Sequence, residues 1–140
     1  MFNKKPPQLL QYQKISFKSV LGANCTIHGQ LDIGGNYHIV GQVLGDIVDV
    51  ENSGAVLWID KSAYVKGNIL CSNLVLAGTL EGNISASVAV EVCSGASITG
   101  DIQSERLYVD SNARINGRLS CSNDNQLKEV LKKLSSGTDP

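Results

Sequence analysis

Residues 107–119 read LYVDSNARINGRL, and the order apolar, variable, glycine, variable, apolar around Gly117 occurs five more times upstream. Those copies are Ile27 to Leu31 around Gly29, Val43 to Ile47 around Gly45, Val65 to Ile69 around Gly67, Leu80 to Ile84 around Gly82, and Ile98 to Ile102 around Gly100. With units starting at Ser19, Tyr37, Leu57, Leu74, Val90 and Leu107, the starts lie 18, 20, 17, 16 and 17 residues apart. Glycine then falls at position 11 throughout, once the second and fourth units take a two-residue deletion. Self-similarity at so short a period marks a stacked solenoid, whose units bury their apolar sides against one another.

Within a unit the apolar residues alternate, which predicts short strands. Positions 1 and 3 are mostly apolar (Tyr37 and Ile39, Leu74 and Leu76, Leu107 and Val109), position 9 is always Val, Ile or Leu, and position 13 is always Ile or Leu. Position 7 of the longer units is small (Cys25, Ala63, Ala96, Ala113), and position 15 is usually small or apolar (Ile33, Cys71, Ala86, Ser104, Cys121). Positions 8, 10 and 12 are mostly polar and are assigned to water. Three short strands per unit predict an all-β, single-stranded parallel β-helix with three sides and about six coils. Right-handedness follows from the bias of parallel crossovers. Coils about 4.8 Å apart make a rod roughly 29 Å long. The glycine fits a corner that needs positive φ or close backbone approach.

A left-handed hexapeptide β-helix of the acyltransferase kind is the competing solenoid, since Leu21, Ile27, Ile33 and Ile39 fall six apart. Later units break that step: Val92 to Ile98 is six but Ile98 to Ile102 is four, and Val109, Ile115 and Leu119 repeat the break. The organisation is then an N-terminal tail, 1–18, a β-helix, 19–121, and a C-terminal tail, 122–140, with both tails expected to be flexible. The extra residues Asn52, Ser53 and Gly54 are assigned to a surface loop.

The chain has 140 residues, 42% hydrophobic and 18% charged, with a net charge of −1, which fits one globular domain. So little charge offers a nucleic-acid backbone no basic field, and none is expected as a partner. The longest apolar run, Ala55 to Ile59, is far below the roughly 20 residues of a membrane span, and no signal-type apolar core opens the chain. A cytoplasmic location follows as the expectation. Cys25, Cys71, Cys93 and Cys121 lack close paired spacing and histidine partners, so they are assigned to packing.

Catalytic signals are weak. The two histidines, His28 at position 10 and His38 at position 2, are placed outward on different coils, without the imidazole cluster of a zinc site or the cleft base of an acyltransferase. Asp32, Asp46, Asp49, Glu81, Glu91 and Asp101 are assigned to scattered solvent positions. No phosphate-cradling glycine loop is present. The chain is expected not to be an enzyme and to need no cofactor or metal.

The ends of the rod carry more. Solenoids that stay monomeric cover their end coils with atypical caps. Here the first coil (Leu21, Ile27, Leu31) and the last (Leu107, Val109, Ile115, Leu119) are as regular as the middle ones. These seven residues are the candidate polymer interface, through unlike ends or like ends in alternation.

The coil LYVDSNARINGRL, its shorter partner LVLAGTLEGNI (74–84) and the polar tails together resemble the bactofilin family of bacterial cytoskeletal proteins over residues 19–121. The resemblance implies a right-handed parallel β-helix that polymerises without nucleotide into nonpolar filaments. It implies roles in cell shape, local cell-wall synthesis or the positioning of other proteins, among them cell-wall enzymes, at the inner membrane. It also implies that an apolar residue near the C-terminal end of the rod, here Ile115 with Leu119 beside it, is needed for assembly. A monomeric β-helical binding module and, less well matched, a hexapeptide acyltransferase are the alternatives.

Met1 and Phe2 followed by Lys4 and Lys5 look like the N-terminal membrane-targeting motif of many bactofilins. They are the candidate contact with the cytoplasmic face of the inner membrane; each lysine gains about 1 kcal/mol near anionic lipid. The alternative is an ordinary terminus ending at Pro6 and Pro7. In the C-terminal tail, Leu127, Val130, Leu131 and Leu134 fall at helical spacing, a segment that is marginal alone and that caps the rod, docks a partner or frays. Position 2 of successive coils, predicted outward, reads Val20, His38, Trp58, Val75, Glu91 and Tyr108. Trp58, Val75 and Tyr108 are the candidate lateral or partner contacts, set against the fact that scattered exposed apolar residues are normal.

Overall fold

The computed structural model describes residues 17, 19–50 and 54–122. Every strand in it is parallel to its partners, and the chain winds through six coils. The first coil is β1 (Ser19–Leu21), β2 (Thr26–His28) and β3 (Leu31–Ile33); the second is β4 (Tyr37–Ile39), β5 (Gln42–Leu44) and β6 (Ile47–Asp49). The third adds β7 (Val56–Ile59), β8 (Tyr64–Lys66) and the start of β9 (Ile69–Leu76). The fourth takes the rest of β9, β10 (Thr79–Glu81) and the start of β11 (Ile84–Val92). The fifth takes the rest of β11, β12 (Ser97–Thr99) and β13 (Ile102–Ser104), and the sixth is β14 (Arg106–Val109), β15 (Arg114–Asn116) and β16 (Leu119–Cys121).

Three walls result. One is the six-stranded sheet β2-β5-β8-β10-β12-β15. The other two, β1-β4-β7-β9-β11-β14 and β3-β6-β9-β11-β13-β16, share the two long strands that pass unbroken through a corner. Three short strands per unit are therefore not found everywhere: at Ser72–Asn73 and Ser87–Val88 no glycine or proline interrupts the extended chain, and only a register shift between Ala86 and Ala89 marks the bend.

The pairing register equates Ser19, Tyr37, Leu57, Leu74, Val90 and Leu107, the six first positions of the repeat. Position 13 pairs likewise, from Leu31 through Ile47, Ile69, Ile84 and Ile102 to Leu119. Like side chains thus stack in columns. Val43, Val65, Leu80 and Ile98 form one buried ladder, and Ile47, Ile69, Ile84 and Ile102 another. Each such side chain contributes about 1.5 to 3 kcal/mol when fully buried.

Glycine decides how closely coils approach. A β-carbon on Gly82 would lie 1.9 Å from the Gly67 carbonyl oxygen, and one on Gly100 would lie 1.9 Å from that of Gly82. Close approach, more than backbone dihedral, requires glycine at position 11 from the second coil onward; in the first coil Gly29 has open space around it but φ +110°. The two short units obey the same rule at position 7. The longer units close a turn there (Ala63 N–H to Asp60 O, 2.9 Å; Ala113 N–H to Asp110 O, 3.0 Å). Gly41 and Gly78 instead tuck under the preceding coil, where a β-carbon would meet the Cys25 oxygen at 2.3 Å and the Asp60 oxygen at 2.4 Å.

Candidate functional site

The six-stranded wall ends on β2 and β15, so each of these strands has one partner among the described residues. Four aliphatic side chains at the two ends are only partly buried: Ile27 and Leu31 in the first coil, Ile115 and Leu119 in the last. They stand in the same two columns, Ile27 and Ile115 in one, Leu31 and Leu119 in the other. Interior members of those columns are sealed by a coil on each side, whereas these four have a coil on one side only among the described residues. The other three residues of the sequence-derived interface differ. Leu21 is 9% exposed, Leu107 0% and Val109 2%, so these three side chains have little left to bury.

The corner after the glycine column carries a polar ladder that the sequence reading passed over as solvent-facing residues. The Asn68 amide donates to Asp46 Oδ1 (2.8 Å), the Asn83 amide to Asn68 Oδ1 (2.9 Å), the Asp101 amide to Asn83 Oδ1 (2.9 Å) and the Arg118 amide to Asp101 Oδ1 (2.9 Å). Asn or Asp at position 12 of four successive units was the signal. Beside it, position 14 exposes Leu70 at 53%, in a shallow groove with Val48 and Gln103.

Two carboxylates placed in solvent by the sequence reading are buried instead: Asp49 at the end of β6 and Glu91 in β11. Asp49 follows Ile47 by two residues and so points to the same side of its strand. Asp32, Asp46, Glu81 and Asp101 are exposed. The Tyr64 hydroxyl bonds with the Glu81 carboxylate, which holds the phenol above its ordinary range.

Position 2 also departs from expectation. His28 is exposed, but the His38 ring stacks on Trp58 with centroids 3.7 Å apart and planes 6° apart, and its Nε2 lies 2.9 Å from Asp60 Oδ2. Phe17 covers both rings, 5.4 Å from Trp58 and 6.0 Å from His38. Trp58 and Tyr108 are half-buried, and Val75 is 0% exposed although it lies outside the core. The stripe therefore faces away from the core without being uniformly exposed, with Val20 at 53% and Val75 at 0%.

Cys71 and Cys121 are buried at the inward position 15, Cys25 is exposed, and Cys93 is intermediate. Burial first, and then the Asp49 carboxylate, push the Cys71 thiol up to about 12; burial also pushes Cys93 up to about 11. These are packing thiols and poor nucleophiles. Among the described residues no three His, Cys, Asp or Glu side chains gather as a metal site would require, and no helix is long and apolar enough to cross a membrane. The candidate membrane residues Met1, Phe2, Lys4 and Lys5 lie outside the described residues, as do Asn52, Ser53, Leu127, Val130, Leu131 and Leu134.

Residues 19–120 match the family model described as Bactofilin, polymer-forming cytoskeletal. Among curated proteins, Bactofilin BacO of Myxococcus xanthus is 30% identical over 101 residues, covering 72% of this chain and 77% of BacO. Bactofilin BacP of the same organism is 28% identical over 101 residues, and the match spans only 40% of BacP. The solid-state NMR structure of the cytoskeletal bactofilin BacA superposes with a TM-score of 0.61 at 26% identity, covering 72% of this chain and 92% of that one. The cryo-EM reconstruction of Thermus thermophilus bactofilin double helical filaments gives 0.60 at 18% identity, covering 74% and 98%, a likeness of fold.

Proposed function

The chain belongs to the bactofilin family of polymer-forming cytoskeletal proteins, and from that premise we propose that its copies join end to end into nucleotide-independent, nonpolar filaments that serve as a scaffold on the inner membrane. The observation that carries this reading is the set of four half-buried aliphatics, Ile27 and Leu31 at one end and Ile115 and Leu119 at the other. Stacking a further coil against either end completes their burial and extends the β2 or β15 hydrogen-bond edge. Each of the four gains on the order of 1 kcal/mol, part of the full transfer energy of an aliphatic side chain. The added backbone bonds supply direction.

Met1, Phe2, Lys4 and Lys5 supply the membrane contact in this reading. Two apolar side chains and two lysines bind an anionic bilayer weakly as one copy, and a filament multiplies them into avidity. Cell-wall enzymes or other cell-shape proteins are the clients such a scaffold positions.

Light scattering and electron microscopy of purified protein, without nucleotide or metal, test the assembly. Long filaments from the wild type and short soluble species from Ile115→Arg with β content intact are expected. Only small isolated particles from the wild type at micromolar concentration would sink the scaffold and favour a monomeric binding module.

A further inference from the structure

The outer column of the β1-β4-β7-β9-β11-β14 wall loses exposure in an uneven way. Val20 in the first coil is 53% exposed, whereas Val75 in the fourth is 0% and Glu91 in the fifth is 9%. None of them belongs to the core. Phe17 precedes the first strand by two residues, yet its ring lies against His38 in the second coil and Trp58 in the third. Trp58 stands two coils, or about 10 Å, along the rod from β1. The chain therefore reaches β1 from the flank, not from beyond the open end.

We propose that this column is a docking site for the chain's own N-terminal segment, residues 9–17, which lies along it as a strap. Several features of the chain agree. The sixteen residues before Phe17 reach about 53 Å when extended, farther than the roughly 29 Å rod. Leu9, Leu10, Tyr12 and Ile15 make this stretch apolar enough to match Val75 and Trp58. An extended strap would advance about 6.6 Å over the two residues upstream of Phe17, enough to bring Ile15 to the level of Val75 and Lys14 within reach of Glu91. The platform is stiff, because His38 is held flat on Trp58 and tied to Asp60. A strap on the flank leaves both ends free for assembly.

Trp58 is the only tryptophan of the chain and reports on the strap directly. In the full-length protein, acrylamide quenching of Trp58 should be weak. It should rise severalfold, with a red shift of the emission, in Ile15→Asp/Phe17→Ser, and stay at the wild-type level in Leu131→Asp/Leu134→Asp. Hydrogen exchange of the unaltered chain should show residues 9–17 protected, a readout that survives if the substituted chain fails to fold. Unchanged quenching in a folded Ile15→Asp/Phe17→Ser protein, or unprotected amides across residues 9–17, overturns the proposal. Exposure of Trp58 by the C-terminal substitutions instead assigns the site to residues 123–140. Exposure in the non-assembling Ile27→Arg/Ile115→Arg background assigns it to a second copy.

Discussion

The α-carbon of Gly82 leaves no room for a side chain, because a β-carbon there would lie 1.9 Å from the carbonyl oxygen of Gly67 one coil away. Gly82→Ala should push two coils apart in mid-rod and cost about 3 kcal/mol, the upper range for an overpacked interior. Gly95, at φ +85° with nothing within 4 Å of an added β-carbon, is the control. Gly95→Ala should cost only about 1 kcal/mol, from backbone conformation alone. Denaturant unfolding of the two variants in an assembly-blocked background reads the difference.

Asn68 and Asn83 separate Asp46 from Asp101 in the corner ladder, so no two carboxylates sit on adjacent coils in that column. Asn83→Asp keeps an acceptor for the Asp101 amide but sets like charges about 5 Å apart, which costs about 1 kcal/mol in water at low salt. Raising the salt should recover most of that loss by screening. Asn83→Ala removes the acceptor instead, and its loss, of similar size, should not respond to salt. Melting curves across an ionic-strength series separate the two.

Ile27 and Ile115 occupy one column at opposite ends of the rod, so charged substitutions there can distinguish how copies meet. If like ends join, Ile27→Arg and Ile115→Arg should each stop at dimers, and the double variant should be monomeric. If unlike ends join, either single variant should be monomeric, and mixing the two should restore a dimer. Sedimentation velocity decides between the patterns.

Folded Cys71 and Cys93 hold their protons up to about pH 12 and about pH 11, against an ordinary thiol value of 9.0. Above pH 9 the unfolded chain releases these protons first and so binds fewer than the folded one, and stability falls as pH rises. Their contribution should be constant below pH 9 and lost between there and pH 12. Under reducing conditions, Cys71→Ala/Cys93→Ala should melt with a flatter alkaline profile than the wild type. At pH 8 the exposed Cys25 should be alkylated long before Cys71.

Much of the column was legible in the residues themselves. Ser19 and Leu107, 88 positions apart in sequence, share one register because each step between them is a single coil, and a short repeat states that step five times over. The deletions placed in the second and fourth units fall where Gly41 and Gly78 tuck under a longer turn. Burial of Asp49 and Glu91 was not legible, since no repeat rule says which polar position will be covered. Nor was the merging of strands into β9 and β11, which needs only that a corner lack a breaking residue.

Local and next-coil contacts therefore followed from sequence alone: six coils, their register, the aliphatic ladders and the glycine corners. They follow because coil-to-coil contact repeats with the period of the chain, and periodic residue types record it. Only the tertiary structure decided that Ile27, Leu31, Ile115 and Leu119 stay partly open while Leu107 and Val109 are closed, and that Phe17 lies over His38 and Trp58. Those features depend on where the rod stops and on what lies over its flank, and neither occurs once per coil.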